Sequence, residues 1–433
     1  MRNTLLWSVL CAGCVASIII FLSAGGIASL QGAATWTVGK AQAAAVFFVP
    51  SITVGQITGD YHGVQTLDPI NGSSLPAPTK KIRILIVPGH RPDVGGTVFG
   101  AVLERDIVTD IADALTTLLV QNPHYDVMVA RTKSAWNPVL QSYFDTHATG
   151  IETFYTSQAA QMKNYLENGS ILSAADQVYH NSTSAQGMIQ LHGINKWASE
   201  NKYDITLHLH INDDDMHRAR VEGKYNGFAI YVPDHQYSNA EASKAIGEAI
   251  AVRLNAYHAT STLPKEDQGV VPDQQLIAIG SNNTADGAAL LIEYGYIYEP
   301  QFQIPSVRTV AINDYAYQTY LGLQDFFKDP VVSTYGTVSF SYDWATVTGK
   351  KKERGPDVYA LQAALHYLGF YPPVGKSFSD CPVSGVAGFC TRSAIEAYQR
   401  AHGLEATGTV GPATRAALAR DIPQPLIASV NLE

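Results

Sequence analysis

Ile82-Arg83-Ile84-Leu85-Ile86-Val87, closed by Pro88-Gly89-His90, is the stretch that decides the architecture. A β-branched apolar run of this length, stopped by a Pro-Gly pair, has the texture of a central, buried strand. After a loop containing Gly95, Gly96 and Gly100, the residues Leu103, Ile107, Ile111, Leu115 and Leu118 recur at spacings of three and four, which predicts an amphipathic helix over 103–119. A strand at 125–130 follows. Further strands are expected at 203–211, 227–232 and 288–294, with a helix at 241–256 between the last two. This alternation predicts an α/β domain, a mixed sheet flanked by helices.

The chain has 433 residues, too many for one ordinary domain, and its composition is that of a globular protein. Its formal net charge is -9, and the first 43 residues hold only Arg2 and Lys40 as charged side chains, so the remainder is more acidic still. A nucleic-acid partner is excluded on that balance, because phosphate binding needs a basic surface.

From Leu5 to Leu30 the sequence is apolar or small behind a single Arg2, longer than the roughly 20 residues that span a bilayer. Residues 1–43 therefore read as a signal peptide or an N-terminal membrane anchor. Ala41-Gln42-Ala43 permits cleavage, but its distance from the apolar run favours the uncleaved anchor. Either way the rest of the chain is expected outside the cytoplasm, membrane-anchored or secreted. Cys11 and Cys14 lie inside this segment and need no further chemistry. Cys381 and Cys390 close a short loop, where a disulfide in an oxidising compartment contributes about 2–3 kcal/mol; two free buried thiols are the alternative.

Residues 44–80 read as a linker or lead-in, 81–328 as the large α/β domain, 329–353 as a second linker and 354–422 as a small second domain. Within the large domain, residues 135–190 are polar and rich in Ser, Asn and Gln, and read as an insertion. The simplest expectation is an exposed excursion, the functional alternative a lid over the site.

Three segments place hydrolytic residue types where strands end or a helix starts: His90, Glu104, and His210 in Thr206-Leu207-His208-Leu209-His210-Ile211-Asn212. Two imidazoles and a carboxylate suit catalytic zinc, since three protein ligands leave a fourth position for water. Glu293, in Leu290-Leu291-Ile292-Glu293-Tyr294-Gly295-Tyr296, is an acid at the end of an apolar strand, where a charge is costly unless paired, hydrated or functional. Asp213-Asp214-Asp215 with His217 reads as a solvated turn, the alternative being a second metal site. His62, His124, His147, His180, His192, His235 and His258 have no partner pattern and read as surface or structural.

Taken in order, Ile84 to His90, Leu103-Glu104-Arg105, His210-Ile211-Asn212 and Glu293-Tyr294-Gly295-Tyr296 resemble the motifs of the zinc-dependent N-acetylmuramoyl-L-alanine amidases. The resemblance covers about residues 81–327. It implies that His90, Glu104 and His210 bind Zn2+, that Glu293 serves catalysis, and that the substrate is peptidoglycan, cut between N-acetylmuramic acid and L-alanine of the stem peptide. Two departures bear on the site. Arg91-Pro92-Asp93-Val94-Gly95-Gly96 replaces the family's usual continuation after the first His, and His208 stands where the family has Ser. By strand alternation His208 shares a face with His210 and is the alternative ligand.

In the C-terminal unit, Val358, Leu361, Leu365 and Leu368 form one helix face ended by Gly369; a second helix carries Ala394, Ile395 and Tyr398; a third begins near Pro412. Leu368-Gly369-Phe370, Tyr398-Gln399, Gly403-Leu404 and Gly411-Pro412-Ala413-Thr414 resemble the three-helix peptidoglycan-binding domains attached to wall hydrolases. The readings that compete with a wall amidase are a zinc peptidase acting within the stem peptide and a catalytically inactive wall-binding regulator.

Overall fold

Ile82–Pro88 forms strand β1, second from the edge of a six-stranded sheet with the order β4-β1-β5-β8-β6-β7. The other strands are β4 (Tyr125–Val129), β5 (Ile205–Asn212), β6 (Ala229–Pro233), β7 (Val270–Asp273) and β8 (Ala288–Tyr296). β4, β1, β5 and β8 run parallel, β6 pairs antiparallel with β8, and β7 lies parallel to β6, so the sheet is mixed. The computed structural model describes residues 54–62, 80–93, 95–174, 183–214, 221–280, 287–327 and 347–422. The expected export segment lies outside them, and no helix among the described residues is long and apolar enough to cross a membrane.

A continuous apolar run is what a parallel strand covered on both faces requires. Ile82, Ile84 and Ile86 point into the main core, together with Leu207, Leu209, Leu290 and Ile292 of the neighbouring strands. Three helices cover that face: α2 (Glu104–Leu119), α5 (Ala240–Leu254) and α7 (Pro305–Phe327). The alternate residues Leu85 and Val87 face the other way, into a smaller cluster with Trp136, Leu140, Phe144 and Ile194. A third cluster, containing Ala229, Tyr231, Leu276 and Leu291, lies farther along that same face.

The insertion is not an exposed excursion. It contains α3 (Pro138–Glu167) and the start of α4 (Ala185–Glu200), and the buried side chains of Leu140, Tyr143, Phe144 and Ile151 pack it onto the sheet. Its apolar residues are sparse among polar ones, so the helical stripe is faint in sequence although it is sufficient to bury. The lead-in also differs from expectation: Val54–His62 is a helix, α1, whose Ile57 reaches the main core. A short hairpin, β2 (Val98–Phe99) with β3 (Val102–Leu103), fills part of the Gly-rich loop, and the short helix α6 (Pro300–Gln303) precedes α7.

The C-terminal unit consists of α8 (Pro356–Tyr367), α9 (Phe389–Ala401) and α10 (Pro412–Asp421), with Cys381 bonded to Cys390. Most of the expected second linker lies outside the described residues; within its last part Val347 is fully buried and Gly349 packs against Ile395 of the C-terminal unit. It is docked on the large domain: Gly385 meets Val307 of α7, and His366 makes an edge contact with Tyr257 at 6.3 Å.

Candidate active site

β1 and β5 end side by side, and Gly89 continues the ladder by donating its N–H to the Leu209 carbonyl at 2.8 Å. Position 89 must be glycine, because a Cβ there would sit 2.4 Å from Cε1 of His210. The next residue, His90, has φ 65°, a left-handed conformation that a non-glycine residue adopts only under constraint. Much of that constraint comes from Arg131, which is buried at the end of β4. Its guanidinium donates to the Pro88 carbonyl at 3.1 Å, to the Gly89 carbonyl, to the Arg105 carbonyl at 3.0 Å and to Thr109 Oγ1 at 2.8 Å. Burial lowers the Arg131 pKa only to about 10, opposed by Glu104 and Asp106, so it stays charged at neutral pH.

Glu104 is the first residue of α2, where the unsatisfied N–H groups of a helix start favour a carboxylate. Its side chain lies between the two histidines: His90 Nε2 is 2.8 Å from Oε2, and His210 Nδ1 is 3.0 Å from Oε1. The Thr97 and Ile211 N–H groups also donate to this carboxylate, at 2.8 and 3.1 Å. Burial alone would raise the Glu104 pKa, but His90 and His210 together hold it well below the usual carboxylate range. One donor atom from each of His90, Glu104 and His210 lies within 4.8 Å of the others, a grouping that could hold a metal ion.

Glu293 pairs with His210 across the β5–β8 register and so stands beside this group. Its Oε2 is enclosed and has no hydrogen-bond partner. Burial, then the charges of Glu104 and Glu266, push its pKa well above the ordinary carboxylate value. His208 is not in the three-residue group. It lies deeper in the same cleft, 1% exposed, and burial together with His210 lowers its pKa to about 3, so it is neutral.

Asp213 and Asp214 organise loops. Thr97 Oγ1 donates to Asp213, and the Lys224 N–H donates to Asp214 at 2.7 Å; Asp215 and His217 lie outside the described residues. Among the remaining histidines, His147 stacks on Tyr143, His192 stacks on Tyr155, and His258 is buried against Asp314 at 2.8 Å. Sequence reasoning missed Arg131 and also Glu266, which is fully buried. The Glu266 carboxylate accepts from Asn212 Nδ2 at 3.1 Å, from the Tyr231 hydroxyl and from the Tyr296 hydroxyl at 3.1 Å. Nothing local in Lys265-Glu266-Asp267 marks it. Arg131 had one signal: like His90, it lies just beyond the end of a parallel strand of the sheet.

A mixed α/β sheet whose parallel strands, with the start of α2, bring two imidazoles, a carboxylate and an adjacent enclosed acid to one cleft has the residue set of a hydrolase. The sequence profile of the N-acetylmuramoyl-L-alanine amidases matches residues 84–319, and the chain belongs to that family. It is therefore a peptidoglycan amidase, acting on the bond between the N-acetylmuramoyl group and L-alanine, which decides against a stem peptidase. A peptidoglycan-binding domain profile matches residues 354–418. Among solved structures, the chain is similar to the CwlD amidase of Clostridioides difficile, solved with the GerS lipoprotein, at 15% identity over 57% of this chain and 99% of that one, with a TM-score of 0.38. It is also similar to the amidase Ami1 of Mycobacterium smegmatis, at 11% identity over 58% and 98%, with a TM-score of 0.39. No curated protein matches it.

Proposed function

We propose that His90, Glu104 and His210 hold a zinc ion and that Glu293 moves the protons in hydrolysis of the muramoyl–alanine amide. The convergence of the three donors beside Glu293 is the observation that carries this reading. The donor chemistry fits: two imidazoles and one carboxylate are a nitrogen and oxygen set suited to zinc that leaves a position open. A dication held there acidifies water and polarises the amide carbonyl. The chain's own residues do the rest. The Thr97 and Ile211 N–H groups and Arg131 fix the carboxylate and the His90 loop, and the Glu293 carboxylate, made a stronger base by its enclosure, can take a proton and, as the carboxylic acid, return it to the departing alanine nitrogen.

The wall-binding domain keeps the enzyme at its polymer and raises its effective concentration there. The disulfide suits an oxidising, extracytoplasmic location, and the apolar N-terminal segment serves as an export signal or membrane anchor. Metal analysis with turnover assays on purified sacculi tests the residue roles. His90→Ala and Glu104→Ala should lose bound zinc, whereas Glu293→Gln should keep zinc and lose at least about 100-fold in turnover. Full activity in Glu293→Gln removes that residue from the mechanism.

A further inference from the structure

Glu266 is a buried acid that the proposed hydrolysis does not use. It is fully enclosed and lies behind the wall of the cleft rather than in it. Its loop is fixed on both sides, where the Ser261 N–H donates to the Phe228 carbonyl at 2.8 Å and the Ile230 N–H to the Gly269 carbonyl at 2.7 Å. The side chains that donate to its carboxylate are all neutral. Asn212 Nδ2 reaches Oε1 at 3.1 Å, the Tyr296 hydroxyl reaches Oε2 at 3.1 Å, and the Tyr231 hydroxyl donates to Oε1. A carboxylate sunk in a core and served only by neutral groups is costly, so the need to fill space does not account for it.

The three donors come from three adjacent strands, β5, β8 and β6. Two of them mark the point where the sheet is irregular. His210 lies opposite Glu293, but two residues farther along β5 Asn212 lies opposite Tyr296, so β8 holds one residue more than β5 between the two pairs. Such a bulge breaks the ladder and re-aims the side chains beside it. Asn212 and Tyr296 are the first pair beyond the bulge, and Glu266 binds both. The Ile297 N–H closes the ladder again by donating to the Asn212 carbonyl at 3.0 Å. Tyr231 ties in β6, where it lies opposite Leu291, two residues before Glu293. We propose that Glu266 is a positioning residue for the amide hydrolysis: it clamps the ends of β5 and β8 just past the bulge and so fixes Glu293 opposite His210. A displacement of about 1 Å between these two groups costs on the order of 100-fold in rate. Substrate contacts made elsewhere in the cleft are untouched, so the loss falls on kcat rather than on KM.

This inference rests on the roles proposed for His210 and Glu293, and two measurements keep the readings apart: turnover of the full chain on soluble muramoyl peptides, and native-state hydrogen exchange on the metal-free full chain. Glu266→Leu should lower kcat at least about 30-fold with KM within about twofold. The Ile297 amide in that variant should exchange at least about tenfold faster than in the wild type. Glu266→Gln keeps a carbonyl acceptor, and a tyrosine hydroxyl can turn to accept from its amide, so it should restore most of both losses. Tyr296→Phe removes one hydroxyl and leaves the carboxylate and the packing in place. It should lower kcat about tenfold with the same small change in KM, and it decides the matter if Glu266→Leu does not fold. Wild-type kcat in Tyr296→Phe, equal losses in Glu266→Gln and Glu266→Leu, or unchanged exchange at Ile297 overturns the clamp. A wild-type chain without turnover on muramoyl peptides overturns the amidase reading instead, and the exchange rates still decide the clamp.

Discussion

At the scale of single residues the site is built by exclusion as much as by placement. Gly89 leaves room for the His210 ring, so Gly89→Ala should displace that imidazole. A shift of about 1 Å in such a group costs on the order of 100-fold in rate; turnover on muramoyl peptides should fall by that amount with the far-ultraviolet circular dichroism unchanged. Glu293 gives a pH signature. Its pKa in the fold is raised above the ordinary value of 4.5, so the stability its protonated form contributes is complete below about pH 4.5 and is lost as pH rises through the raised value. Metal-free Glu293→Gln should therefore melt above metal-free wild type at neutral pH, with the gap closing below pH 4.5; a gap independent of pH contradicts this. His90, Glu104, His210 and Glu293 could be singled out in sequence through ordered motifs that resemble the family's, and the structure brings the first three together beside the fourth. Arg131 and Glu266 were not, because their chemistry arises only when distant segments meet.

At the scale of elements, the strands and helices of the main core were readable because their burial is periodic or continuous. β1, α2, β5, β6, α5 and β8 fall within a few residues of expectation. α3 escaped because a 30-residue helix buries only Leu140, Tyr143, Phe144, Ile151, Met162 and Tyr165, too thin a stripe to stand out. β7 is short, and with Pro272 in its middle it reads as a loop. Arg131 ties β4 to the β1 exit and to α2, so its loss should act on both stability and the site. Arg131→Met takes the guanidinium donor from the buried carbonyls of Pro88 and Gly89 and should destabilise the fold by about 3 kcal/mol, read by denaturant titration. Bound metal should fall with it, because the His90 loop loses its anchor. Excising 138–167 uncovers the cluster under α3 and should lower the melting temperature rather than speed turnover.

At the scale of the whole molecule, the wall-binding unit is a docked partner of the catalytic domain. Val307 is fully buried and touches Gly385, and the buried His258 pairs with Asp314 close to Tyr359. Exposing a side chain such as Val307 costs about 1.5–3 kcal/mol. Removing residues 347–433 should therefore weaken attachment to sacculi and also lower the melting temperature of the catalytic domain, whereas a freely tethered module would alter attachment alone. Its helices were legible from apolar spacing and from Gly369 at a helix end, with φ 81°; the docking was not, because it joins surfaces more than 70 residues apart in the chain. The measurement that tests the central claim most directly is anomalous diffraction at the zinc edge from crystals of the full chain grown with zinc. The account predicts one strong peak ligated by His90, Glu104 and His210, with Glu293 beside it and outside the ligand set. A peak bound by His208, or no peak among these three side chains, would contradict it.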